Sequence, residues 1–130
     1  MSLPKTKLSV DEVMAMYPTE DACLAALFRY RFGPKPRCRK CGLRGEFFRK
    51  WTGPSFECRC GFEIAPMART PAHNTNLPLR SWLWVMTTLI LEGRLTRDAV
   101  TSKLGVSQVT ASRMIDRCRA WIAIQGLRRK

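Results

Sequence analysis

Residues 38–61 read CRKCGLRGEFFRKWTGPSFECRCG: two tight cysteine pairs, each followed by glycine. The first is Cys38-Arg39-Lys40-Cys41-Gly42 and the second is Cys58-Arg59-Cys60-Gly61, with 16 residues between the pairs. A tetrahedral zinc ion takes four thiolates at about 2.3 Å, commonly from two tight turns brought face to face. The neighbouring Arg37, Arg39, Lys40 and Arg59 favour the thiolate form. Cys38, Cys41, Cys58 and Cys60 are therefore the candidate ligands of one structural zinc. A ribbon this short has little core, so metal would supply much of its folding free energy. The second pair has one spacer residue instead of two, which tightens that turn and could distort the site. The competing readings are four reduced cysteines without metal and a redox pair. Cys23 and Cys118 fall on apolar helical faces and read as buried small hydrophobes. His73 reads as a surface residue.

Between and around these pairs there is no helical period. Phe47, Phe48, Trp51, Phe56 and Phe62, with a Thr52-Gly53-Pro54 turn, predict short strands. Before the ribbon, Ser9 and Glu12 stand at capping-box spacing ahead of a short helix that Pro18 ends. Thr19 caps a second helix with Cys23, Leu27 and Tyr30 on one face. After Pro78, Leu79, Trp82, Leu83, Met86, Leu89 and Ile90 recur with helical spacing up to Gly93. Thr96 starts another helix, with Ala99, Val100 and Leu104 expected inward. Ser107 starts a last one, with Ala111, Met114, Ile115, Cys118 and Ile122 as its buried stripe. The fold class predicted is a small α+β protein: short N-terminal helices, a zinc ribbon of short antiparallel strands, then a helix-turn-helix domain. The expected divisions are residues 1–36 (helical), 37–65 (ribbon), 66–78 (linker), 79–127 (helix-turn-helix) and 128–130 (basic tail).

Charge points to the partner. The 130 residues carry 23 Lys and Arg against 10 Asp and Glu, a net +13. Residues 28–50 hold a net +8 and residues 94–130 a net +7. Such a surplus fits a polyanion and argues against an ordinary small-molecule enzyme. Around Gly105, the residues Val100, Leu104, Val106, Ala111 and Met114 fill the apolar places of a helix-turn-helix. Its second helix then exposes Gln108, Val109, Ser112 and Arg113 as candidate base contacts, since Gln and Arg pair bidentately with adenine and guanine edges. Ser107, Thr110, Arg117, Arg39, Lys40, Arg128, Arg129 and Lys130 are candidate phosphate contacts. The expected partner is double-stranded DNA, with a homodimer or another protein partner left open and no small-molecule substrate. The start, MSLPKTKLSVDE, has no apolar signal core, and the apolar run Trp82–Leu91 is half the length a membrane helix needs. A cytoplasmic, nucleoid-associated protein away from membranes is expected.

As an ordered set these segments resemble the N-terminal part of a bacterial insertion-sequence transposase family, over roughly residues 17–121. The matching residues are Pro18 to Leu24, Arg31-Phe32-Gly33, the two cysteine pairs with their glycines, Ile64-Ala65-Pro66 and Thr70-Pro71. They continue through Leu77 to Trp82, Leu104 to Ser107 and Thr110 to Met114. The resemblance implies a zinc ribbon joined to a helix-turn-helix, ahead of an RNase-H-like DDE catalytic domain. Where that family has an aromatic residue and a Lys early in the recognition helix, this chain has Gln108 and Val109, which implies a different target sequence. The family's catalytic carboxylates lie in a later domain, so no catalytic residue and no enzymatic activity are expected of these 130 residues. Three functions remain open: a stand-alone regulator of transcription or transposition, the end-binding fragment of a split or degenerate transposase, and a zinc-ribbon protein–protein adaptor.

Overall fold

The computed structural model describes residues 9–50, 52–73 and 75–128. Two N-terminal helices, α1 (Val10–Ala15) and α2 (Glu20–Phe32), precede three strands, β1 (Phe47–Lys50), β2 (Ser55–Cys58) and β3 (Glu63–Ile64). Three helices follow: α3 (Leu79–Glu92), α4 (Arg97–Leu104) and α5 (Gln108–Arg128). This is the small α+β arrangement the sequence predicts.

Hydroxyl caps start four of the five helices, as expected from orphan N–H groups at helix ends. Ser9 and Glu12 form a reciprocal capping box. The hydroxyls of Thr19, Thr96 and Ser107 accept from the backbone N–H of Ala22, Ala99 and Thr110 at 3.1, 3.1 and 3.2 Å. α3 begins after Pro78, which has no side-chain cap to offer.

The strands form an antiparallel sheet in the order β1-β2-β3. Phe47 lies opposite Cys58 and Arg49 opposite Phe56, while Phe48 lies opposite Glu57. Alternation therefore sends Phe56 inward and Phe48 outward. Phe56 stacks on Phe28 of α2, with centroids 4.2 Å apart and planes at 15°. A stacked pair of this kind adds about 0.5–1.5 kcal/mol beyond its buried area. Arg49 ties the same hairpin to α2 through Asp21 at 3.1 Å.

One buried cluster joins the sheet to the helices. It contains Cys23, Leu24, Leu27 and Phe28 of α2, then Phe56, then Leu79, Trp82, Val85, Met86 and Leu89 of α3. Ala72, Val100 of α4 and Ala111, Met114, Ile115, Cys118 and Trp121 of α5 complete it. Cys23 and Cys118 are both fully buried, as their apolar faces predicted.

Several expected core positions lie elsewhere. Tyr30 is 45% exposed and Ile90 58% exposed. α2 turns Leu24 and Phe28 inward to meet Phe56, which carries Tyr30 to the rim beside Trp121. α3 packs against α1 and α2 on one side and α5 on another. Val85 and Thr88 are therefore buried and Ile90 is left outside. Ala99 is exposed, and Leu83, Leu104 and Ile122 are only partly buried.

The proline-rich segment 66–78, read from the sequence as a linker, is packed against the rest of the molecule. Pro66, Thr70, Pro71 and Ala72 are buried. Arg31 donates to the carbonyls of Pro66 and Ala68 at 2.7 and 2.8 Å. The Trp82 indole N–H donates to the Thr75 hydroxyl at 3.0 Å. Among the described residues, no helix is long and apolar enough to cross a membrane.

Candidate metal centre and nucleic-acid interface

Two hairpin-like knuckles carry the cysteines. In the first, Gly42 N–H donates to Cys38 C=O and Cys38 N–H donates to Leu43 C=O, both at 2.9 Å. In the second, Gly61 N–H donates to Cys58 C=O and Cys58 N–H donates to Phe62 C=O, both at 2.8 Å. The shortened knuckle thus closes with the same pair of bonds over one residue fewer. Both closures need a left-handed backbone, supplied by Gly42 at φ 78° and Gly61 at φ 98°.

The four Sγ atoms lie within 4.8 Å of one another. Cys38 and Cys60 are 3.6 Å apart, as are Cys41 and Cys58, so each close pair spans the two knuckles. A tetrahedron with arms of about 2.3 Å has edges of about 3.8 Å; the two 3.6 Å pairs fit such edges, and the remaining separations reach at most 4.8 Å. The C-x-C spacing therefore does not prevent the four ligand atoms from converging. Cys38 and Cys58 are buried, while Cys41 and Cys60 face solvent. His73 is exposed and stands outside this cysteine group.

The thiols do not ionise alike. Burial opposes ionisation of Cys38, but the N–H groups of Cys41 and Lys40 and the thiols of Cys60 and Cys58 outweigh it, bringing Cys38 down to about 6. At Cys58 the backbone N–H of Cys60 favours the thiolate, but burial and the thiols of Cys41, Cys38 and Cys60 prevail and push it up to about 12. Crowded sulfurs share a negative charge poorly, and a bound cation is what lets all four ionise.

Residues 18–61 match the family model of the transposase zinc-ribbon domain. No curated protein and no solved structure matches the chain. The matched zinc-ribbon segment runs from Pro18, before α2, to Gly61 after the second knuckle, so it includes α2 and both cysteine pairs.

A second feature lies on the C-terminal helices. Gly105, Val106 and Ser107 join α4 to α5. Gln108, Val109, Ser112 and Arg113 line one shallow groove with Arg97 and Asp116. Val109 is 68% exposed, the highest among the exposed large hydrophobic side chains of the described residues. The Gln108 amide donates to Asp98 of α4 at 2.9 Å. Ser107 and Thr110 are 3.0 Å apart at the helix start, their hydroxyls hydrogen-bonded to each other. Arg117 is exposed one turn beyond Arg113.

Arg39 and Lys40 sit apart from that groove, exposed at the tip of the first knuckle. Arg128 is the last residue of α5, and Arg129 and Lys130 lie outside the described residues. Arg97 and Asp98 were not singled out as site residues from sequence. The signal that could have found them is their place in the first turn of α4, within reach of the start of α5.

Proposed function

We propose that this chain is a sequence-specific double-stranded DNA-binding protein, built like the DNA-binding region of a transposase and serving as a regulator of transcription or transposition. One structural zinc on Cys38, Cys41, Cys58 and Cys60 holds the ribbon. α4 and α5 act as a helix-turn-helix, and the start of α5 enters the major groove.

The observation that carries this reading is the groove shared by Gln108, Val109, Ser112 and Arg113. Gln and Arg suit adenine and guanine edges, and an exposed apolar side chain suits a thymine methyl. Arg97 and Arg113 line that groove, and along the same C-terminal segment Arg94, Lys103, Arg117 and Arg119 are also exposed, like them. Among the described residues, none of these has a carboxylate within 4.0 Å. Unpaired surface cations are what a phosphate backbone neutralises. Ser107, Thr110, Arg117, Arg39, Lys40 and the basic end Arg128-Arg129-Lys130 serve as phosphate contacts, and on this reading the protein resides on the nucleoid.

Selection of bound duplexes from a random library tests this, followed by a comparison of selected and scrambled duplexes. Arg113→Ala should cost about 1–3 kcal/mol on the selected site and little on the scrambled one. Equal losses on both would move Arg113 to the phosphate contacts.

The transposase zinc-ribbon match supports a second reading, in which the chain binds the ends of a mobile element. Recovery of terminal inverted repeats in the selection would favour it. On either reading the chain cuts no DNA. Metal-dependent cleavage by the pure protein, lost on changing a carboxylate, would overturn that part.

A further inference from the structure

The ribbon segregates its cations. On the outer face of the sheet, Lys50 pairs with Glu63 at 2.8 Å and with Glu57 at 3.5 Å, and Arg59 lies 3.8 Å from Glu46. There every cation has a carboxylate partner, two cations facing three carboxylates. The arm leading into the first knuckle differs. Lys35, Arg37, Arg39, Lys40 and Arg44 are all exposed. Among the described residues, no carboxylate lies within 4.0 Å of any of them.

Within that arm, Arg37 and Arg44 face each other across an antiparallel bridge. The flanking bonds are Cys38 N–H to Leu43 C=O at 2.9 Å and Gly45 N–H to Pro36 C=O at 3.0 Å. Neither arginine's own backbone closes the bridge, so they form a non-hydrogen-bonded pair. This is the pairing in which cross-strand side chains stand closest and on one face. Like charges placed there repel and lower the stability of the arm. The Arg44 guanidinium donates to the Lys35 carbonyl at 3.4 Å, which orients it without neutralising it. Two fork-shaped donors rooted opposite each other on one face of the arm suit a phosphodiester seated between them, which would offset their repulsion.

We propose that Arg37 and Arg44 form a phosphate clamp on the sugar–phosphate backbone of double-stranded DNA, separate from the groove at the start of α5. The clamp rests on the DNA-binding reading and adds to it a contact that anchors the ribbon without reading bases.

The test uses the whole chain carrying Arg37→Gln and Arg44→Gln together, with a random-sequence duplex titrated over a range of salt. Each neutralised phosphate contributes about 0.9 to the slope of log affinity against log salt, so the double variant, which loses the one phosphodiester held between the two arginines, should lose about 0.9. Its affinity near 0.1 M salt should fall about tenfold or more. Its urea midpoint should hold or rise, because a repulsion has been removed, and its zinc content should not change. Lys50→Gln, which removes a cation already paired with carboxylates, should leave the slope alone. A double variant that binds duplex with the parental slope overturns the clamp and leaves the α5 reading standing. A slope that falls only together with zinc content or urea midpoint also overturns it, since the pair is then structural. A parent chain that binds no duplex at all overturns both.

Discussion

Glu20 of α2 caps α3 from 60 residues away: its carboxylate accepts the backbone N–H of Arg80 at 2.9 Å and that of Leu79 at 2.7 Å. Arg80 returns the contact, donating from its guanidinium to the carbonyls of Tyr17 and Met14 at 3.1 and 3.2 Å, at the end of α1. The pair thus satisfies the start of one helix and the end of another. A carboxylate is well placed there, since the N-terminus of α3 is the positive end of its dipole. Glu20→Ala should lower unfolding free energy by about 1–2 kcal/mol, the usual cost of a lost N-cap, as measured by urea denaturation. A variant as stable as the parent would show that water replaces the carboxylate without loss.

Protein purified without added zinc should contain about one equivalent of it. Acidification should release the ion, because the ligands must be thiolates and protons compete for them. Cys41→Ser should reduce zinc content even though Cys41 is exposed, because its sulfur supplies one corner of the tetrahedron. Four freely titrating thiols in a fully folded, metal-free protein would sink this expectation.

Stability should fall at alkaline pH through the two buried helical cysteines. Burial pushes Cys118 up to about 12 from an ordinary value of 9.0. At Cys23 burial, reinforced by Glu20 and opposed by Arg80, pushes the thiol up to about 11. A folded-state pKa above the unfolded value means the full contribution is present below pH 9 and is lost as pH rises towards 11–12. The slope approaches about 1.4 kcal/mol per pH unit for each thiol. Urea midpoints should therefore be level near neutrality and drop above about pH 9. Cys118→Ala should show a shallower drop; a parallel one would assign the effect to other groups.

Asp98 should act as a brake on DNA binding. It holds Gln108 at 2.9 Å and adds a negative charge beside the groove. Asp98→Asn should tighten binding to every duplex several-fold and alter the base preference wherever Gln108 makes contact. It should also cost about 0.3–1 kcal/mol of stability, because Asp98 occupies the first turn of α4. Unchanged affinity would mean that neither the charge nor the Gln108 contact matters to the complex.

Local signals in the sequence carried much of this architecture. The glycine after each cysteine pair requires only its own turn, and the caps at Ser9, Thr19, Thr96 and Ser107 act within three residues. The buried stripe of α5 from Ala111 to Cys118 follows from one period. What was hidden depends on distant partners. Phe28 goes inside because Phe56 awaits it, not because α2's own pattern demands it. Thr88 can be buried because its hydroxyl finds the Trp84 carbonyl at 2.8 Å. The 66–78 segment reads as a linker from its prolines and is pinned by Arg31. At the candidate interface, the exposure of Val109 is legible from the α5 period, whereas the Asp98–Gln108 contact depends on how α4 meets α5. The like-charge pairing of Arg37 and Arg44 requires the register of the knuckle arm.

Phe56 belongs to the same buried cluster as Val100 and Met114, and its stack on Phe28 joins the ribbon to the helices. A chain joined in this way should unfold as one cooperative unit, which a single calorimetric peak would show. Metal-binding free energy gained at the knuckles would then be passed to that cluster, and α5 would be held in shape partly by an ion it does not touch. Withdrawal of zinc would be felt first as softening of the whole molecule. On the DNA-binding reading proposed above, the supply of zinc in its surroundings would set how much of the protein is competent to grip DNA.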